Sequence, residues 1–537
     1  MSDAPTQTKS SAWWTPAAWA LEPEPSTFAP SKTMSNKDMD PVPREQRKWT
    51  TWSYTAYWIS DATNTASWEL ASSMIAVGLS WRQALPAIAV GHIIIAAVMV
   101  LNGTIGARLH IAFPVIARSS FGFWLSYFAV ISRVVLSCFW FAIQTFVGSE
   151  CMYQMLKAIW PSVQRIPNHL PASSGITSVN MMCYFLYWLL QIPFLLVSPQ
   201  RIRHLFVLKA AIVPATWLAI LIWAMRRAPP SVSLNAQHST LSGSQASWAW
   251  LSALNSALGI YATLAVNIPD FTRYAKNERA QYVQIIIIPV AFTLAGFCGM
   301  AVATASEVLY GVVIWDPLQL IDRWESRAAA FFAAFSFALA TLGTNISANS
   351  LSAANDMTVL LPKYINIRRG QIICAIVGGW ALAPWEILSS APGFLTFMAG
   401  YTVFLGPFAA LMAVDYWLVH RCAVDVPGMF DPQGRYKYWK GINWRAAVAL
   451  LFSVTPSLPG LAASINPKIK VGNAANLFSI AWLYGFFTAG TIYWALSALF
   501  PATETYLDKA DVGEAESLEA DEDGDSKSEK EGSGERV

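Results

Sequence analysis

Residues 54–79 read YTAYWISDATNTASWELASSMIAVGL. Both ends of this stretch are apolar enough for a bilayer, but its centre, WISDATN from Trp58 to Asn64, crowds Ser60, Asp61, Thr63 and Asn64 together. In hydrocarbon each backbone N–H and C=O must find an internal partner, and Ser, Thr, Asp and Asn side chains compete with the helical ladder for those groups. An apolar segment with such a centre reads as a membrane helix interrupted part-way across. An interruption of that kind persists only where it lines a cavity or meets a ligand. The stretch points to an all-α membrane protein with a polar centre rather than to a soluble fold.

The composition agrees. Of 537 residues, 55% are hydrophobic and 13% charged, against roughly 25% charged in soluble domains. Apolar windows able to cross about 30 Å of hydrocarbon predict twelve transmembrane helices, near 53–80, 85–102, 123–158, 176–198, 205–225, 249–269, 284–305, 328–350, 371–388, 393–418, 446–463 and 476–499. They divide the chain into an N-terminal tail (1–51), a transmembrane domain (52–500) and an acidic C-terminal tail (501–537). The N-terminal tail lacks the early apolar core of a cleaved signal peptide, which leaves targeting to the first span. Lys and Arg crowd the loops on one side (Arg108, Arg118, Arg273, Lys276, Arg368 and Arg369 among them) and are sparse on the other. Both tails are therefore expected to face the cytoplasm. The C-terminal tail, ending EAESLEADEDGDSKSEKEGSGERV, is expected to be disordered, with Lys509, Lys527 and Lys530 open to ubiquitin-type modification machinery.

The sequence disfavours several function classes. Six cysteines, without C-x-x-C spacing and mostly inside apolar runs, suggest neither disulfides nor metal. A net charge of +3 spread over loops does not suggest nucleic acid. No nucleophile–base pair or metal-ligand spacing suggests an enzyme. A non-transporting nutrient sensor would call for long folded cytoplasmic domains.

A second interruption is expected in span six, where LAVNIPDFTRY (Leu264 to Tyr274) contains Pro269. The competing reading is a helix end at the inner surface, because Asp270, Arg273, Lys276 and Arg279 follow at once. Five spans separate the two interruptions, which suggests a five-plus-five inverted repeat with two further helices. In span three, Trp140 and Gln144 are four residues apart and so share a helix face. A flat indole beside an amide suits a planar heterocycle, although an indole in a membrane helix also serves as packing or as an interface anchor. Span eight ends in GTNISANSLSAANDM (Gly343 to Met357), whose three asparagines and one aspartate exceed what close packing needs. Ionisable groups inside spans are costly, and the candidates are Asp61, Glu69, Glu150, Lys209 and Asp356. Asp61 reads as a gating or proton-coupling group, with helix capping as the alternative, and Lys209 as functional or as snorkelling to the surface.

Eight blocks together resemble the fungal branch of the nucleobase–cation symporter-1 family, the uracil, uridine, allantoin and thiamine permeases. They are NKDMDPVPREQRKW (36–49), YWISDATN (57–64), GLSWRQA (78–84), FPVIARSSFG (113–122), WFAIQTFVG (140–148), AIWPS (158–162), VNIPDFTRYA (266–275) and GTNISANSLSAANDM (343–357). The resemblance spans about residues 36 to 465. It implies a LeuT-like 5+5 inverted-repeat fold plus two C-terminal helices, with the substrate at mid-membrane between spans one, three, six and eight. By the same resemblance Trp140 stacks on the heterocycle, Gln144 and Asn349 hydrogen-bond it, and Asn64 is a polar substrate-side residue. Tyr261 stands where relatives carry Trp or Phe. Sodium-coupled members use two hydroxyls of span eight; Thr344 matches one, but Gly343 replaces the other. The resemblance thus favours proton symport over sodium, with Lys209 near the vacant ion site and Asp356 as an inner gate. It implies a plasma-membrane importer of uracil, allantoin or a related nucleobase. A uridine, thiamine or nicotinamide riboside permease, with more room around Tyr261 and Ile260, is the alternative.

Overall fold

The polar centre of the first span breaks the helix in the computed structural model, which describes residues 19–21, 34–197, 199–228 and 239–512. Helix α1 (Thr51–Ala62) ends and α2 (Thr65–Ala76) starts around Thr63 and Asn64. Asn64 is extended (φ −111°, ψ 156°), and its side-chain carbonyl accepts the Ser67 backbone N–H at 3.0 Å. This N-cap satisfies one of the donors that a new helix leaves unpaired.

The described chain is helical throughout, apart from three isolated β-bridges. Nine described segments are long and apolar enough to cross a membrane. They comprise α3 (Trp81–Leu109), α5 (Ser126–Ile159), α6 (Ser178–Leu196), α7 (Pro199–Arg227), α8 (Gly243–Asn267) and α9 (Gln284–Tyr310), followed by three composite segments. The composites are α10 (Arg327–Thr344) with α11 (Leu351–Leu360), α13 (Ala391–Gly400) with α14 (Thr402–Val414), and α15 (Trp444–Val454) with α16 (Leu458–Ile465). The remaining predicted spans are helical as well. The halves of the first are 12 residues each, α12 (Ile367–Trp380) has 14, and α17 (Ala481–Leu499) has 19 diluted by Tyr and Trp. Short α4 (Phe113–Phe121) lies between α3 and α5.

The second interruption differs from the first. α8 runs unbroken for 25 residues to Asn267, Ile268 keeps helical angles (φ −52°, ψ −29°), and Pro269 opens one further turn to Thr272. Proline is tolerated at the first position of a turn, where its missing N–H would be unpaired anyway. Span six therefore ends near Pro269 instead of splitting at mid-length.

Long α5 is the axis of the bundle and packs on α6, α10, α11 and α12. Close approach requires glycine at Gly148, where a β-carbon would fall inside the Tyr187 ring. Elsewhere in the bundle α3 packs on α8 and α9, and α14 on α17. Residues 34–49 lie across one end of the bundle. The Trp49 N–H donates to Tyr274 O at 2.9 Å, and Asp38 accepts the Ile367 N–H at 3.0 Å. The first part of the C-terminal tail also departs from expectation. Residues 501–512 are laid along the loop after α14, with the Val426 N–H donating to Asp511 O at 2.8 Å and the Asp511 N–H to Val424 O at 2.9 Å. Backbone pairing of that kind leaves no trace in composition. The acidic remainder, with Lys527 and Lys530, lies outside the described residues.

Candidate functional site

The break between α1 and α2, the middle of α5, the inner half of α8 and the junction of α10 and α11 converge on one small cavity of ≈40 Å³. Ligand sites occupy about 300–1,000 Å³, so the centre is closed and has room for little more than water. Asp61, Asn64, Trp140, Gln144, Tyr261, Thr344 and Asn349 all line it. Lys209 stands directly behind Thr344 and Asp356 behind Arg133. Glu69 and Glu150 lie elsewhere, within electrostatic reach of Asp316.

On α5, the Trp140 ring meets Phe397 edge-on (centroids 5.6 Å, 67°) and Tyr401 (6.4 Å, 68°). Trp140 Nε1, which faces the Tyr401 hydroxyl, and Gln144 Oε1 are both buried without a well-directed hydrogen bond. A donor and an acceptor thus stand open on one face, one helical turn apart. Such groups are uncommon in folded proteins, because each unmade bond costs about 1–3 kcal/mol.

Asn64 and Tyr261 fasten the break. The Asn64 Nδ2 donates to Asp61 O at 2.6 Å and to the Tyr261 hydroxyl at 2.9 Å, and that hydroxyl donates to Asp61 O at 3.3 Å. The hydroxyl that sets Tyr261 apart from Phe thus pairs with backbone freed by the interruption. Its ring packs against Phe292 (4.4 Å) and Trp58 (5.9 Å).

At the α10–α11 junction, residues 345–350 form a π-helical turn, a widening often found at functional sites. Asn349 Nδ2 donates to Asn345 Oδ1 at 2.9 Å. Asn345 is held in turn by the Gln191 side-chain oxygen of α6 (2.7 Å) and by Thr145 Oγ1 of α5 (3.2 Å). One turn earlier, Lys209 Nζ of α7 donates to Thr344 Oγ1 at 3.1 Å, and the carboxylate whose charge it feels is that of Asp61.

Between the cavity and the end carrying residues 34–49 lies a polar plug. Arg133 Nε is 3.3 Å from Asp356 Oδ2, both side chains being almost fully enclosed, and Arg133 also donates to Thr263 O at 2.9 Å. Asn267 Nδ2 donates to Ser352 Oγ (3.0 Å) and Asp270 Oδ2 (3.2 Å). Asp270 Oδ1 accepts the Phe113 N–H of α4 at 2.8 Å. Sequence reasoning passed over Arg133, although a lone arginine inside an apolar run is itself a signal. It also passed over Asn267 and Gln191, and took Asn345 only as one of the three asparagines of the span-eight block.

Residues 41–485 match the profile of a family described as permease for cytosine/purines, uracil, thiamine and allantoin. The allantoin permease of Saccharomyces cerevisiae is 36% identical over 487 residues, covering 88% of this chain and 76% of that protein. The uracil permease of the same organism is 35% identical over 485 residues, covering 87% and 76%. Among solved structures, an inward-facing conformation of Mhp1 matches with a TM-score of 0.68 at 21% identity, covering 88% of this chain and 96% of that one; the two share a fold.

Proposed function

The chain belongs to the family of permeases for cytosine and purines, uracil, thiamine and allantoin, and we propose that it imports uracil, allantoin or a related planar heterocycle by proton symport with alternating access. As a permease it is a transporter and not an enzyme. The observation that carries the substrate class is the open pair on α5, Trp140 Nε1 and Gln144 Oε1. A ring whose edge offers a carbonyl beside an N–H answers both and lies flat against the indole. Asn349 adds a further amide on the opposite wall, and Tyr261 and Asn64 hold the third wall in shape.

The closed centre supports alternating access, since a heterocycle fits only when helices part. The plug at Arg133, Asp356 and Asp270 is then the inner gate. For coupling, the support is the lysine. Its ammonium stands at Thr344, where sodium-coupled relatives are expected to hold their ion, and within electrostatic reach of Asp61. A proton taken up by that pair from outside raises the net charge at the α1–α2 break by one, as a bound cation would.

The chain on this reading crosses the plasma membrane twelve times as two inverted five-helix units and two further helices, with both termini cytoplasmic. The shared docking end of residues 34–49 and 501–512 supports the last point. The test is uptake of radiolabelled uracil in cells lacking their own permeases, competed by purines, pyrimidines, allantoin and vitamins, with pH and sodium varied. Competition by flat heterocycles and collapse with a protonophore are expected. Sodium-dependent uptake that ignores the protonophore would overturn the coupling; normal transport by both W140A and N349A would overturn the site.

A further inference from the structure

A second cavity of ≈700 Å³ lies far from the centre, on the flank of the bundle between the end of α7, the end of α9 and the start of α10. Its floor is apolar and buried, formed by Ile220 and Ala333, and Phe332 at its edge is 67% exposed. Trp223 and Trp324 stand together on its rim, ring centroids 4.9 Å apart. Two guanidiniums and one carboxylate, Glu325, share the rim, a charge set that answers the phosphate and the ammonium of a zwitterionic headgroup. Arg227 ends α7, and Arg323 lies over the Tyr310 ring at 6.0 Å. Neither has an ion-pair partner among the described residues. A smaller cavity of ≈350 Å³, lined by Ile159, Phe331 and Phe332, adjoins it, so that Phe332 borders both.

We propose that the two cavities hold one diacyl phospholipid of the surrounding bilayer, its phosphate between Arg227 and Arg323 and its two chains on either side of Phe332. Guanidinium forks match phosphate oxygens geometrically and electrostatically. Paired indoles at a helix end mark the level of lipid headgroups. A soluble anion has no use for the apolar floor. A sterol, with one hydroxyl, leaves both guanidiniums and the Glu325 carboxylate unanswered. The lipid wedges α7 against α9 and α10, and α7 is also the helix that carries Lys209. The inference stands on the membrane setting of the chain and not on the identity of its substrate.

The full-length protein, purified in mild detergent, is assayed for phospholipid phosphorus per protein and for thermal stability with added phosphatidylethanolamine micelles, inorganic phosphate or ergosterol. Wild type should retain phospholipid and be stabilised by the micelles alone. R227Q/R323Q should lose most of the bound phospholipid and the stabilisation, and R227K/R323K should keep part of each. F332W, which adds bulk between the chains while sparing the charges, should lower retention. Gel filtration as a monodisperse peak keeps a failure to fold separate from a loss of lipid. Equal phosphorus in wild type and R227Q/R323Q, or stabilisation by ergosterol or free phosphate as strong as by the micelles, overturns the proposal. So does retention that rises when residues 229–238 are replaced by a Gly/Ser linker of equal length, since that segment would then be the occupant.

Discussion

Gly343 and Lys209 interlock: a β-carbon on Gly343 would lie 2.8 Å from Lys209 Cδ, while the lysine reaches past it to donate to Thr344 Oγ1 at 3.1 Å. A hydroxyl-bearing residue at 343 and this lysine rotamer therefore exclude each other. G343S should drive the ammonium off Thr344 at a cost of about 1–3 kcal/mol, with each 1.4 kcal/mol worth about tenfold. Proton-driven uptake should fall about tenfold or more, while substrate binding to de-energised membranes changes little. Wild-type uptake by G343S would show that Lys209 does not need its present position.

The Arg133–Asp356 pair is enclosed, yet Arg133 Nε and both Asp356 oxygens lack a well-directed hydrogen bond. Removing one partner of a buried pair costs about 3–5 kcal/mol, whereas replacing both with apolar groups is often neutral. D356A should lower the unfolding temperature markedly, and R133M/D356L should recover much of the loss while still transporting poorly, because the gate has lost its attraction. Thermal unfolding and uptake of the same preparations separate the two effects. A D356A protein as stable as wild type would contradict the assignment.

Trp140 offers a face and an N–H, which two substitutions separate. W140F keeps a face and loses the donor, a loss of about 0.5–1.5 kcal/mol, so KM should rise several-fold with the maximal rate nearly unchanged. W140A loses both and should abolish saturable uptake. Equal effects from the two would place the indole in packing against Phe397 and Tyr401 instead of against substrate.

At the docking end, His420 Nδ1 lies 3.1 Å from Asp415 Oδ1, and its Nε2 is 3.0 Å from Thr505 Oγ1. Burial alone would pull the imidazole down, but the Asp415 carboxylate outweighs it and the net shift is upward. A raised folded value means that the stabilisation is complete below the ordinary imidazole value of about 6.5 and is lost as pH climbs through the folded value. Residues 501–512 should therefore become more open to proteolysis in mildly alkaline buffer than at pH 6. H420Q should flatten that difference, and an unchanged pH profile in H420Q would remove His420 from the latch.

Local chemistry was legible and long-range partnership was not. The break at Thr63 and Asn64 followed from polar side chains crowded into an apolar run, and the shared face of Trp140 and Gln144 followed from helical spacing. The shallow position of the second interruption did not, because whether Pro269 splits or ends a helix depends on how far α8 runs before it. Asn345 looked like one more small polar residue until Gln191, 154 positions away, was seen to hold it. The docking of 501–512 was hidden for the same reason. It rests on backbone groups, which every residue has.

The π-helical turn at 345–350 has a consequence for deletions. Ahead of it Thr344 meets Lys209; beyond it Asn349 and Ser352 line the cavity and Asp356 meets Arg133. A regular helix advances about 100° per residue, whereas a π-helical turn spreads one surplus residue over about the same rotation. Removing one residue of the wide turn would therefore restore ordinary winding and leave Ser352 and Asp356 close to their present facing, while Asn349, inside the turn, lost its place against Asn345. The surplus residue thus presents an amide to the cavity without disturbing either the lysine contact before it or the gate beyond it.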